Sequence, residues 1–208
     1  MRIRLGVEDD LSEAVLRRLI SELRADCQVE FAYPPHNRAG PRDLKSGWGY
    51  LQSNLTAFAL ASKTIPHVVL VDLDDSECAP MKVKDWLSKI PKAHNLMLRI
   101  AVTEVESWLL ADFDGLMEYL HVPNQVSSQS CETIRYPKEV IVAYASKSRL
   151  GEIKRDMCPL RERMGAVGPG YQSLMRSFAR DVWNFEEASK ASPSLSSAIA
   201  ALAKFKKK

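Results

Sequence analysis

The sequence predicts an α/β domain: a mostly parallel sheet flanked by helices, with a helical C-terminal extension packed on it. Three observations carry this. Short apolar, β-prone runs alternate with stretches of helical periodicity up to about residue 120. One run, His67 to Val71, is apolar without interruption after its histidine, as a strand buried on both faces must be. After about residue 121 the strand signals stop and only helical patterns remain. The division that follows is a sheet core over 1–120 and the extension over 121–208.

Taken in order, Ile3 to Val7 reads as the first strand and runs into Glu8, Asp9 and Asp10. Leu11, Val15, Leu16, Leu19, Ile20 and Leu23 then recur on one face of a helix. Val29 to Tyr33 is a second strand, stopped by Pro34 and Pro35. Residues 36–49 are a polar, glycine-containing loop, and a helix near 50–62 aligns Leu51, Leu55 and Phe58. The third strand, 67–71, ends in Asp72, Leu73, Asp74 and Asp75. A short helix near 82–90 follows, carrying Val83, Trp86, Leu87 and Ile90. Leu96 to Val102 is the fourth strand, and Glu104 opens another helix. Residues 123–136 are polar and loop-like. Helical stretches lie near 137–147, 171–183 and 194–205, and no internal repeat is visible.

Composition bounds the function classes. The chain has 208 residues, 46% hydrophobic and 26% charged, enough to bury a core without disulfides. That excludes a disordered chain, a collagen-like chain and a cysteine-stapled miniprotein. No run of about 18 apolar residues exists, so no membrane span is expected. The N-terminus carries Arg2 and Arg4 and lacks a signal-peptide core, so a cytoplasmic protein is expected. Cys27, Cys78, Cys131 and Cys158 form no CxxC pair, and His36, His67, His94 and His121 are scattered. Zinc is not expected; idle thiols in a reducing compartment are.

The net charge of +3 conceals an asymmetry. Residues 1–136 carry 15 Lys and Arg against 19 Asp and Glu, and residues 137–208 carry 14 against 7. An acidic part followed by a basic part suits a metal site beside a polyanion track. Lys204, Lys206, Lys207 and Lys208 supply much of the basic excess, and a frayed tail accounts for those equally well.

The acidic residues are placed where chemistry is expected. Glu8, then Asp72 and Asp74, then Glu104 and Glu106 each follow an apolar strand. In a parallel sheet the carboxyl ends of the strands share one edge, and ligands bind there. If the first and third strands are neighbours, Glu8 and Asp72 lie about 5 Å apart across the sheet. Carboxylates that close repel one another, and a divalent cation removes the conflict. Oxygen-only ligands select a hard ion, Mg2+ or Mn2+. The competing role for such residues is helix capping, which suits Asp10 and Asp75.

These same residues resemble the TOPRIM fold of topoisomerases, primases and OLD-type nucleases. The chain is most similar to small TOPRIM-like proteins of the RloB-like kind, often encoded beside an ATPase in bacterial defence systems. The resemblance rests on Val7-Glu8-Asp9-Asp10, on Val71-Asp72-Leu73-Asp74, and most specifically on Glu104-Val105-Glu106-Ser107-Trp108-Leu109-Leu110-Ala111-Asp112. Gly168-Pro169-Gly170-Tyr171 and Ser192-Pro193-Ser194-Leu195 extend it over most of the chain. One departure is Asp9, where the family has a glycine; the turn differs, or Asp9 joins the metal shell. The resemblance implies a metal-dependent nuclease, the effector of an ATPase-associated anti-phage system. Glu8, Asp72 and Asp74 would be its catalytic residues, holding Mg2+ or Mn2+ with help from Glu13 and Glu106. Glu8 serves as ligand or as general base. Lys45, Arg161 and Arg163 are the candidate nucleic-acid contacts, weighed against plain surface solvation. Trp108 reads as core. Two alternatives stay open: a non-catalytic adaptor docking on an ATPase, and a magnesium-dependent phosphotransfer or phosphatase domain with Asp72 as nucleophile.

Overall fold

The structure, a computed structural model, describes residues 1–33, 48–73, 78–125, 130–159 and 166–205. The strands β1 (Arg2–Gly6), β2 (Gln28–Tyr33), β3 (His67–Asp72) and β4 (Leu96–Ala101) form one sheet in the order β2-β1-β3-β4. Every neighbouring pair is parallel, so the sheet is wholly parallel among the described residues.

The crossovers cover both faces. Helix α1 (Asp10–Leu23) joins β1 to β2 and packs on one face, while α2 (Trp48–Ala61) and α3 (Ala79–Ser88) pack on the other. Side chains of β3 sort by parity: Val68 and Leu70 join the α1 side, Val69 and Val71 the α2 side. That two-sided burial is why the run from Val68 to Val71 is apolar throughout. Gly6 has a specific use here. A Cβ at Gly6 would lie 3.2 Å from Val69 and 3.3 Å from Phe58, so its absence lets α2 approach β1 closely.

The α1 face is far thicker than the α2 face. It carries α4 (Val105–Leu110), α5 (Phe113–Tyr119), a 3₁₀ turn (Cys131–Thr133), α6 (Pro137–Ala145), α7 (Gly151–Met157), α8 (Tyr171–Asp181), α9 (Phe185–Ala191) and α10 (Pro193–Lys204). Trp108, Tyr171, Phe178 and Trp183 are fully buried and share one apolar cluster with β1 and α1. Beyond residue 121 the described residues are therefore helical and continuous with the sheet's own core.

Two features depart from the expected pattern. The helix opening at Glu104 is broken after six residues, and α5 begins beyond Asp112. The buried Asp112 carboxylate accepts the N–H of Asn184 at 2.7 Å, and a Cβ on Gly115 would collide with it at 2.6 Å. A glycine and a long-range acceptor, rather than a local breaker, set the break. Helices α7 and α9, each seven residues, were not predicted. No helix among the described residues is long and apolar enough to cross a membrane. All four cysteines are free.

Candidate functional site at the carboxyl edge

The chain leaves β1 for β2 on one side and returns to β3 on the other. The order reverses between β1 and β3, and in parallel α/β sheets the crevice beyond such a switch point is the usual ligand site. Glu8 follows β1 and Asp72 ends β3. The Glu8 Oε1 atom accepts the backbone N–H of Asp72 at 2.8 Å. The Asp72 Oδ1 atom accepts the N–H of Val105, the first residue of α4, at 2.9 Å. Both acidic residues are partly exposed. On the other side of the same edge, Lys82 of α3 donates to the carbonyls of Asp72 (2.8 Å) and Leu73 (3.2 Å).

The turn between β1 and α1 needs no left-handed backbone. Asp9 has φ −151° and N-caps α1, its carboxylate accepting the N–H of Ser12 at 2.8 Å. Asp9 thus does what was expected of Asp10, while Asp10 pairs with Arg176 at 2.9 Å. At α4 the cap is supplied in trans. Glu104 occupies the N-cap position without a side-chain cap bond, and Asp72 from β3 receives the first helical N–H instead.

A second acidic group belongs to α4 itself. The carboxylate of Glu106 is sealed from solvent, 3.3 Å from the Tyr171 hydroxyl that donates to it and 3.5 Å from Lys138 Nζ. Burial pushes Glu106 up to about 7; Lys138 pulls it down, while Glu104 and Asp9 add to the rise. Burial would lower the Lys138 ammonium, but Glu106, Glu104 and Asp9 together outweigh it and hold it above its ordinary value. The Tyr171 phenol is driven far above its usual range by burial and by the same carboxylates. The Gly168-Pro169-Gly170 segment aims Tyr171 there. The N–H groups of Gly168 and Gly170 bond the carbonyls of Met157 and Asp156, both at 2.8 Å. A Cβ on Gly168 would lie 2.5 Å from two carbonyl oxygens of that helix end, so only glycine fits.

The Ser192-Pro193-Ser194 segment is likewise structural. Ser194 Oγ accepts the indole N–H of Trp108 at 2.7 Å and the N–H of Val102 at 3.3 Å. Glu132 accepts from the Ser192 hydroxyl (2.5 Å) and from the Ser194 N–H (2.8 Å). Trp108 is a core residue, as its sequence context predicts.

Of the predicted site residues, Glu8 and Asp72 come together at the switch point. Glu106 lies below, committed to Lys138 and Tyr171. Glu13 faces elsewhere, pairing with Arg17 at 2.6 Å in a cleft between α1 and α8. Asp74, Lys45, Arg161 and Arg163 lie outside the described residues. Among the described residues, no group of three or more His, Cys, Asp or Glu is arranged to hold a metal ion. Sequence reasoning missed Lys82, Lys138 and Tyr171. Only the Gly-Pro-Gly-Tyr motif signals one of them, because the partners they meet are set by tertiary packing.

The donor chemistry at the switch point is two carboxylates from adjacent strands, all oxygen, which suits a hard divalent cation. Glu8 and Asp72 are the residues that would hold it. Compared with protein-family models, with curated proteins and with solved structures, the chain matches none.

Proposed function

We propose that this chain is a TOPRIM-like, metal-dependent nuclease that cleaves phosphodiester bonds of nucleic acid, working with an ATPase partner in anti-phage defence. One observation carries the reading: at the switch point the Glu8 carboxylate after β1 accepts the backbone N–H of Asp72 at the end of β3 at 2.8 Å, which brings the two acidic residues together. Glu8 and Asp72 would hold Mg2+ or Mn2+, with Asp74 the third ligand that the resemblance supplies. A bound cation of this kind neutralises the scissile phosphate and makes its water a better nucleophile. Glu13 and Glu106 are left out of the ligand set: Glu13 lines the cleft between α1 and α8, and the buried Glu106 is committed to Lys138 with Tyr171. Glu106 and Lys138 instead brace α4, whose first N–H orients the Asp72 carboxylate.

The adaptor reading draws on that same hydrogen bond. A carboxylate that anchors a helix has a structural use without any cation. Conservative variants separate the two. Asp72→Asn keeps an Oδ1 acceptor for Val105 and removes the charge; Glu8→Gln does the same for the N–H of Asp72. The assay is cleavage of labelled DNA and RNA with Mg2+ or Mn2+, beside thermal unfolding of each variant. The nuclease reading expects each variant to lose at least about 100-fold in rate with its melting temperature held. Undiminished cleavage by both, or no cleavage by the wild type with either metal and with its ATPase present, would leave the adaptor.

A further inference from the structure

Apart from the switch point, the described residues form an open cleft of about 660 Å³ between α1, α8 and the start of β2. Four guanidinium groups line it: Arg17 and Arg18 of α1, and Arg176 and Arg180 of α8. Among the described residues, the carboxylates lining it are Asp10 and Glu13, against these four guanidinium groups. We infer that this cleft binds the sugar–phosphate backbone of a single nucleic-acid strand and leads it toward Glu8 and Asp72. The inference deepens the nuclease reading and rests on it for the identity of the ligand.

Position argues for the track. Its mouth is Asp10, two residues after Glu8, where Arg176 pairs at 2.9 Å. From Asp10 to Arg17 is two turns of α1, about 10 Å. That is the length of about three nucleotides at the rise of a stacked strand. Arg176 and Arg180 are one turn apart on α8, which packs along α1.

The chemistry of the four groups agrees. Each guanidinium has five donor N–H groups in a planar fork that matches phosphate. Arg17 gives its Nε to Glu13 and Arg176 one terminal nitrogen to Asp10. Arg18 pairs one terminal nitrogen with Glu22 at 2.9 Å and leaves its Nε–H buried without an acceptor. Arg180 grips its own neighbour, Asp181, through exposed side chains. Exposed pairs of this kind contribute about 0–1 kcal/mol each, so a phosphate oxygen displaces the carboxylates at little cost.

The test is binding without catalysis. Fluorescence anisotropy of a labelled single-stranded oligonucleotide, as DNA and as RNA, is measured in EDTA over a salt titration. The expected result is binding whose salt slope falls by about 3 in the variant Arg17→Gln/Arg18→Gln/Arg176→Gln/Arg180→Gln, with affinity reduced at least tenfold. Lys89→Gln/Lys190→Gln, which removes exposed charge elsewhere, should bind as the wild type does. If the fourfold variant does not fold, Arg180→Gln alone should lower the slope by about 0.7. Four outcomes overturn the inference: no binding by the wild type, full binding by the fourfold variant, equal loss in the lysine control, or competition by polyglutamate as strong as by oligonucleotide. Metal-dependent cleavage is scored separately. Wild-type binding without cleavage keeps the track and sinks the nuclease, while cleavage indifferent to the four arginines does the reverse.

Discussion

The two acidic regions at the carboxyl edge of the sheet are built on opposite principles. At the switch point, Glu8 and Asp72 are partly exposed and accept backbone N–H groups. Within α4, Glu106 is closed off from water and held by a lysine and a tyrosine from distant helices. The first arrangement leaves the carboxylates in reach of an ion from solvent. The second supplies its own cation from within the chain. Similar residue types a few positions apart thus serve exchange in one place and permanence in the other, and burial makes the difference.

The largest test of this contrast is Lys138→Met. Removing the internal cation leaves Glu106 buried without its counter-ion, and urea unfolding at pH 8 should show a loss of about 3 kcal/mol. A loss below about 1 kcal/mol would mean that Glu106 needs no cation. The next test is pH. Glu106 titrates near 7 in the folded chain and near 4.5 when unfolded. Its folded value is raised, so between those values the folded state keeps a proton the unfolded state has lost. Stability should therefore be full below about pH 4.5 and decline as pH rises toward 7, by up to about 3 kcal/mol. Glu106→Gln should remove this part of the pH slope; an unchanged slope would place it on another group.

Smaller effects are expected at the switch point. Asp72→Ala deletes the acceptor for Val105 and should cost about 1 kcal/mol in metal-free buffer. Charge repulsion alone would have predicted level or rising stability on losing Asp72, but its cap on α4 opposes that. Tyr171→Phe removes one long hydrogen bond and should cost about 0.5–1 kcal/mol. A larger loss there would show that the phenol, and not only Lys138, keeps Glu106 tolerable.

Much of this was legible in the sequence because it is local. The apolar run from Val68 to Val71 announces a strand buried on both faces, and strand-end placement put Glu8 beside Asp72. The arrangement of Glu106 was not legible, because Lys138 and Tyr171 lie 32 and 65 positions along the chain and meet it only through packing. Helices α7 and α9 escaped for a simpler reason: two turns are too few for apolar periodicity to declare itself. The capping of α4 by Asp72 joins two separate strands' ends, and a helix-start rule inspects only neighbours along the chain.

The bonds around α4 bear on how separable the two parts of the chain are. Every residue of that helix is buried. The indole N–H of Trp108 is satisfied by Ser194, the Trp108 carbonyl by the Trp183 indole (3.3 Å), and Glu106 by Tyr171. A fragment ending at residue 125 would hold the whole sheet, yet it would present that helix to water with its polar atoms stripped of their acceptors and donors. The first 125 residues are thus a scaffold that cannot travel alone. A gene fusion or a permuted chain that kept the carboxyl edge intact would have to carry α6 to α10 with it.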